Sequence, residues 1–398
     1  MWYTRSMPPG PIDPASLREH YGAFLRPGRI LLTGHSHQAW PDVAREGLLC
    51  AFDEAAAHVD DKWARAAQVA DRVRRGVAER IGGRAEDVAL GQSTHELVSR
   101  FLSALDLRAR PRIVTTTGEF HSLDRQLRRL AEEGVEVCFV EAGPVETLAE
   151  RVAAEVVEGT AAALVSTVLF QSASRVPHLS AVTEAAHRVG AQALFDAYHA
   201  FNVVPFRVED LGPDPVFVTA GGYKYAQWGE GNCFLRVPPD TELRPVYTGW
   251  FSDFTRLDEA RGAGRVGYGP RGADRFAGGT YDPASHYRAA AVLDFFDAHG
   301  LDVDRLRALS LRQTGRLLGG LGGYDLLTPR EAAARGGFVA LRLPGAAAVV
   351  RSLRGRGVHA DSRGDLLRLG PAPYVTEGEI DAALANLREI AGEGGARD

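Results

Sequence analysis

Two residues of unlike chemistry stand where hydrophobic runs give out: Asp196 in FDAYHAFN (Phe195–Asn202) and Lys224 in GGYKYAQWGEGN (Gly221–Asn232). Lysine is scarce in this chain. Of 46 basic residues only Lys62 and Lys224 are lysines, and arginine supplies positive charge everywhere else. Arginine stays protonated and cannot form an imine, whereas a lysine amine can be a cation or a nucleophile. Lys62 has no chemical context and reads as chance. A carboxylate and an amine at neighbouring strand ends suit pyridoxal phosphate (PLP). The amine joins the cofactor aldehyde, and the carboxylate keeps the pyridine nitrogen protonated so that the ring can withdraw electrons from a substrate carbanion. By itself such a pair is a common structural arrangement, and the surrounding motifs decide.

A phosphate needs hydroxyls and backbone N–H groups at a helix start. GQSTHEL (Gly91–Leu97) offers Gln92, Ser93 and Thr94 just before a helical pattern, with Glu96 placed to cap it. Ser122 in EFHS (Glu119–Ser122) and Thr280 in AGGTYDP (Ala277–Pro283) are further candidates, and Tyr223 adds a phenolic donor beside the lysine. Phe120 or His121 is available to stack on a pyridine ring. Each of these alone would be an ordinary cap or turn. Their order along the chain is the signal.

The elements that must hold these residues alternate in type. Arg112–Thr117, Val135–Val140, Ala161–Phe170, Ala191–Ala197, Pro215–Ala220 and Asn232–Val237 read as strands; Leu123–Glu133, Val145–Val157 and Leu179–Val189 read as helices. Continuous apolar strands separated by helices imply an α/β fold, its mostly parallel sheet covered on both faces. Ligand sites in such sheets lie beyond the carboxyl ends of the strands, where the motifs fall. Ser285–His299 and Val303–Leu321 read as two further helices. After them GFVALRL (Gly337–Leu343), a helix near Ala346–Arg354, LLRLGPAP (Leu366–Pro373) and a final helix from Glu377 form a smaller α+β unit. RGAGRVGYGPRG (Arg261–Gly272) is Gly-rich without apolar period and reads as a mobile loop.

On these residues the sequence resembles the kynureninase family, fold-type-I PLP enzymes of the class V aminotransferase group, from about Arg29 to Ile380. ILLTGHSHQAWP (Ile30–Pro41) resembles the family's opening strand and turn, and VALGQSTHELVSRFLSAL its phosphate loop and following helix. The resemblance implies that Phe120 stacks on the cofactor and that Ser93, Thr94, Ser122 and Tyr223 bind its phosphate. It gives Asp196 the pyridine nitrogen, His199 a place beside the ring and Lys224 the Schiff base. Gly249-Trp250 and Gly278–Thr280 are similar to segments completing the phosphate cup, partly from a partner subunit. Arg368 stands where the family grips the substrate α-carboxylate, as a planar guanidinium can do bidentately, and His35 falls near the substrate. The implied domains are a large PLP-binding domain (56–290) and a small C-terminal domain with connecting helices (291–398), which an N-terminal segment (1–55) joins. A homodimer with its active site at the subunit interface is implied too.

The implied reaction is hydrolytic Cβ–Cγ cleavage of kynurenine or a related aryl-ketone amino acid. The chain departs from the family pattern on the substrate side. His121 and Leu123 replace a proline and an aspartate, the latter lost or displaced to Asp124; Phe251–Asp253 follow Gly249-Trp250 where a Gly-His pair is usual, and His35 and His37 stand where Asn and Leu are usual. An aminotransferase, β-lyase or epimerase on the same fold therefore remains open. A remote alternative, a metal-dependent amidohydrolase, rests on the His-x-His spacing of His35 and His37. It would need eight β/α units, which are not apparent.

Composition narrows the rest. Over 398 residues the formal charge is -5, with 45% hydrophobic and 24% charged residues, which gives no basic field for nucleic acid. No apolar run approaches the ~20 residues of a membrane span, and Met1–Gly10 lacks a signal-peptide core, so a cytoplasmic protein is expected. Cys50, Cys138 and Cys233 are odd in number and widely spaced, unlike a disulfide framework or metal motif. Cys138 and Cys233 lie in expected buried strands and Cys50 in a helix. None is placed as the mobile nucleophile of a cysteine desulfurase. His58, His187, His286 and His299 read as surface or helix-end residues, and Trp228 as either packing or substrate contact.

Overall fold

The computed structural model describes residues 10–256 and 264–394. Residues 1–9 and the first part of the expected loop, 261–263, lie outside the described residues. The strands run in chain order as β1 (Ile30–Leu31), β2 (Val88–Gly91), β3 (Arg112–Thr116), β4 (Glu136–Val140), β5 (Thr160–Ser166), β6 (Gln192–Asp196) and β7 (Val216–Gly221). They continue as β8 (Cys233–Arg236), β9 (Asp325–Leu326), β10 (Val339–Arg342), β11 (Val358–His359), β12 (Asp361–Arg363) and β13 (Leu366–Leu369).

Seven strands form the main sheet in the order β2-β8-β7-β6-β5-β3-β4. From β7 to β4 all neighbours are parallel, while β8 runs antiparallel to both β7 and β2. The apolar runs are unbroken because both faces are buried, and the period of two persists beneath them. Ile113, Leu164, Leu194 and Phe217 belong to one core; Val114, Val165, Phe195 and Val218 belong to the other, on the opposite face. The helix Thr94–Ser103 closes the first face with Leu97, Val98 and Phe101, the last edge-on to Phe217 at 4.9 Å. The helices Lys62–Ile81, Leu148–Glu155, Ser180–Arg188 and Ala284–Ala298 bury apolar residues that cover the other.

A four-stranded antiparallel sheet, β12-β13-β10-β9, carries Arg368 on β13. The N-terminal segment reaches this region. β1 pairs parallel with β11, and Thr33 bridges to Gly370. Between the sheets, the helices Val43–His58 and Ala284–Ala298 cross closely. A Cβ on Gly47 would stand 2.6 Å from the Tyr287 carbonyl oxygen, so glycine permits the approach.

The α/β architecture follows the sequence reading, with differences of detail. The apolar run Ala161–Phe170 is not one strand. β5 stops at Ser166, and the chain turns back so that Leu169 N–H donates to Ser174 O and Val176 N–H to Thr167 O. Burial alone keeps Val168, Leu169 and Phe170 apolar. His286, expected near the surface, is buried in its helix with neither ring nitrogen paired.

Candidate cofactor and substrate site

Five strand ends meet around a small cavity at the carboxyl edge of the main sheet. Its wall consists of Thr94 after β2, Phe120 and Ser122 after β3, Ser166, Val168 and Phe170 after β5, Asp196, Tyr198 and His199 after β6, and Tyr223 and Lys224 after β7. The site lies where parallel neighbours diverge in chain order, β3 and β5 being adjacent while β4 lies outside them.

Lys224 Nζ is buried 2.7 Å from His199 Nε2 and stands over three rings, at 4.6 Å from Tyr198, 5.3 Å from Phe120 and 5.7 Å from Tyr223. Burial brings its pKa down to about 7, against the opposing pull of Asp196, so a large share of the amine is uncharged at neutral pH. Burial and then the Lys224 charge hold His199 well below the usual imidazole range. Asp196 Oδ1 accepts from the Tyr198 N–H at 2.8 Å. Burial pushes its carboxyl up, so a cationic partner in the cavity would be stabilised strongly by it.

Two helices start at the cavity. Ser93 caps the helix Thr94–Ser103, its Oγ accepting from Glu96 N–H at 3.2 Å, while Glu96 Oε2 accepts from Gln92 N–H at 2.9 Å. That box engages the Ser93 hydroxyl and turns the positive end of the helix toward Thr94. The second helix, His121–Glu132, presents Ser122 in its first turn. Phe120 meets Phe170 edge-on at 5.3 Å, and exposed His121 lies 5.8 Å from Phe170. Gly221 and Gly222 allow this density: a Cβ on Gly221 would collide with the Tyr198 hydroxyl, and one on Gly222 would stand 2.6 Å from Trp228.

Glu119 escaped the sequence reading, which singled out only its neighbours. Its buried carboxylate accepts from Ser166 N–H at 3.0 Å, Ser166 Oγ at 2.5 Å and Thr116 Oγ1 at 2.6 Å, tying the ends of β3 and β5 beneath the cavity. Burial lifts it to about 7 in spite of those donors. Asp361 was missed as well. It accepts from Arg368 Nε at 2.8 Å, from Arg368 Nη2 at 2.6 Å and pairs with His35 Nε2 at 3.0 Å. Arg368 Nη1 donates to the carbonyl of Phe170, a cavity residue, at 2.8 Å. Nothing local to either sequence stretch signals these pairings, which depend on how distant strands register.

Among the expected site residues, Thr94, Phe120, Ser122, Asp196, His199, Tyr223 and Lys224 converge on the cavity, with Ser93 one residue behind it as a cap. Arg368 reaches its wall through Phe170, and His35 stands behind Asp361. Trp250 and Thr280 lie apart from the cavity wall, both exposed, in segments that pack on each other where Phe251 N–H donates to Gly278 O. Trp228 is fully buried beneath Gly222 and against Phe201 at 5.4 Å, away from the wall. None of the three cysteines lines the cavity; Cys50 is exposed on its helix and Cys138 is half-buried rather than buried. The amidohydrolase reading falls with the fold. The main sheet is open, and His35 and His37 separate, the first buried on Asp361 and the second stacked on Tyr223 at 4.9 Å.

An open, mostly parallel sheet with helices on both faces, its carboxyl edge holding a buried lysine, an aspartate and two helix starts, defines a fold-type-I enzyme of the PLP-dependent class V aminotransferase group. Within that group the chain belongs to the kynureninase family. It is 30% identical over 389 residues to kynureninase of Deinococcus radiodurans, covering 93% of this chain and 92% of that one. It is 27% identical to kynureninase of Pseudomonas fluorescens, covering 94% and 92%. Residues 307–387 match the family model of the kynureninase C-terminal domain. In fold the chain is similar to a mutant of C-DES with glycine covalently linked to its PLP cofactor, at a TM-score of 0.80 and 18% identity, covering 93% of this chain and 98% of that one. Among the described residues no helix is long and apolar enough to cross a membrane.

Proposed function

We propose that this PLP-dependent enzyme hydrolyses the Cβ–Cγ bond of kynurenine or a related aryl-ketone amino acid. The observation that carries the reading is the convergence of Lys224, Asp196 and Phe170, whose carbonyl holds Arg368, on one cavity in a chain of this family. The residues present fit the cofactor. Asp196 would hold the pyridine nitrogen, its buried carboxyl being stabilised by a cation there. Thr94 and Ser122 at the two helix starts, together with Tyr223 after β7, would hold the phosphate, with Ser93 shaping the first helix start. Phe120 would cover the ring. When bound, PLP supplies an electron sink for negative charge developing on the substrate carbon skeleton.

The chain supplies the rest. Arg368 would hold the amino acid by its α-carboxylate and so fix which face of the α-carbon is offered to Lys224. Lys224, its pKa lowered to about 7 so that neutral and charged forms are both available near neutral pH, takes and returns a proton at the substrate α-carbon. His199, kept neutral and 2.7 Å from Nζ, relays or steadies that proton. Phe120, Val168 and Phe170 give the wall apolar faces among its polar groups.

The proposal includes a homodimer, in which a second copy covers the exposed segment holding Tyr247, Trp250 and Phe254, and Thr280 beside it. It also includes the division into residues 56–290 and a second unit of 1–55 with 291–398, supported by the pairing of β1 with β11. A second reading keeps the cofactor but changes the branch to β-elimination or transamination. Ser252 favours it: its hydroxyl bonds within its own turn to Gly249 O at 2.6 Å and Thr248 Oγ1 at 2.7 Å, rather than being offered to a ketone. Incubation of PLP-loaded protein with kynurenine decides between them. Anthranilate fluorescence rising with alanine in equal amount is the expected result; no anthranilate, with turnover of other amino acids to keto acids, supports the second reading.

A further inference from the structure

The structure assigns to Asp361, braced by His35, the task of aiming the Arg368 guanidinium at a substrate carboxylate; Asp361 is a positioning residue. The inference rests on the reading of Arg368 as the carboxylate receptor and adds what makes that receptor work. Arg368 is only 3% exposed and stands directly opposite Asp361 in the β12–β13 register. Asp361 takes the guanidinium side-on through Nε and Nη2, while Phe170 O takes one N–H of Nη1. A guanidinium has five N–H donors, so two remain, the number a carboxylate needs for bidentate pairing.

Asp361 is itself fixed. His35 Nε2 lies 3.0 Å from the Oδ1 that Arg368 Nε also uses, and the His35 ring is buried and stacked on Phe338 at 4.6 Å. The same Phe338 ring underlies the Arg368 guanidinium at 5.8 Å and meets His199 at 5.5 Å. Gly370 permits this packing, since a Cβ there would collide with His35 Nδ1. Burial disfavours the Asp361 charge, yet hydrogen bonds from His35 and Arg368 and the arginine's charge hold its pKa well below the usual carboxylate range. An aspartate anchored by strand pairing, arginine and histidine cannot swing away as a displaceable substitute for substrate. It sets the plane of the arginine instead.

The test compares dissociation constants of L-alanine and ethylamine, which differ by the carboxylate, on the PLP-loaded protein by titration calorimetry. For D361A the alanine constant rises at least ten-fold while that of ethylamine stays within two-fold. D361N, nearly isosteric and so expected to fold, raises it about five-fold if the side-on pair is weakened but not abolished. An unchanged or tighter alanine constant in either variant, or equal losses for both ligands, overturns the inference. R368Q separates the two claims. If it abolishes the preference for alanine while D361A and D361N do not, only the positioning role falls; if R368Q keeps the preference, the receptor assignment itself is wrong.

Discussion

Lys224 and the buried histidines show how burial sets chemistry residue by residue. The cofactor aldehyde is captured by an uncharged amine. With its pKa lowered to about 7, Lys224 in the cofactor-free protein should take up PLP at a rate that rises with pH through 7 and flattens near 8. Stopped-flow absorbance after mixing with PLP measures this; a rate still climbing steeply at pH 9 would mean an ordinary lysine. Stability has its own pH dependence. Burial lowers His35 to about 4 and His286 to about 3, so the folded chain refuses protons that the unfolded chain accepts below about 6.5. Their contribution is complete above pH 6.5 and is lost as pH falls toward those values, roughly 2 kcal/mol for each residue by pH 5. Urea unfolding at pH 7 and pH 5 should show this loss, and H286F should reduce it; an unchanged slope would contradict the burial of His286. Lys224, Asp196 and Phe120 were legible in the sequence because strand ends and a scarce residue type mark them. Glu119, Ser166 and Asp361 were not, since their meaning lies in hydrogen bonds between strands remote in the chain.

Elements carry these residues to one place, and close helix packing steadies the lysine loop. Arg288, on the helix Ala284–Ala298, donates Nε to Trp228 O at 2.5 Å and Nη2 to Glu230 O, just beyond Lys224, and lies under no freedom to shift because Gly47 abuts the backbone at Tyr287 and Arg288. G47A would push the two helices apart, costing about 1–3 kcal/mol by overpacking. Thermal unfolding of the variant should fall accordingly, with weaker PLP retention in dialysis; a variant of unchanged stability would show that the crossing is looser than described. The parallel strands were readable because each is apolar throughout and ends in polar residues. The limit of such reading is the run Ala161–Phe170, where unbroken hydrophobicity gives the same pattern for a buried strand and for the buried turn after it. Hydrogen-bond direction, as in antiparallel β8, likewise leaves no trace in apolar content.

At the scale of the molecule, a sheet edge gathers a lysine and an aspartate over one cavity, and a second sheet brings an arginine to its wall. The family resemblance spanned most of the chain because this arrangement needs residues from 94 to 368. Phe251–Asp253, where the sequence departs from the family pattern, stand apart from the cavity wall, and no local pattern in the sequence says what they face. The proposed chemistry requires a covalent link between Lys224 and PLP. Borohydride reduction of PLP-loaded protein, followed by peptide mass spectrometry, should find one pyridoxyl group per chain, on the peptide containing Lys224, and none in K224A. A group on Lys62, or none on either lysine at saturating PLP, would contradict it.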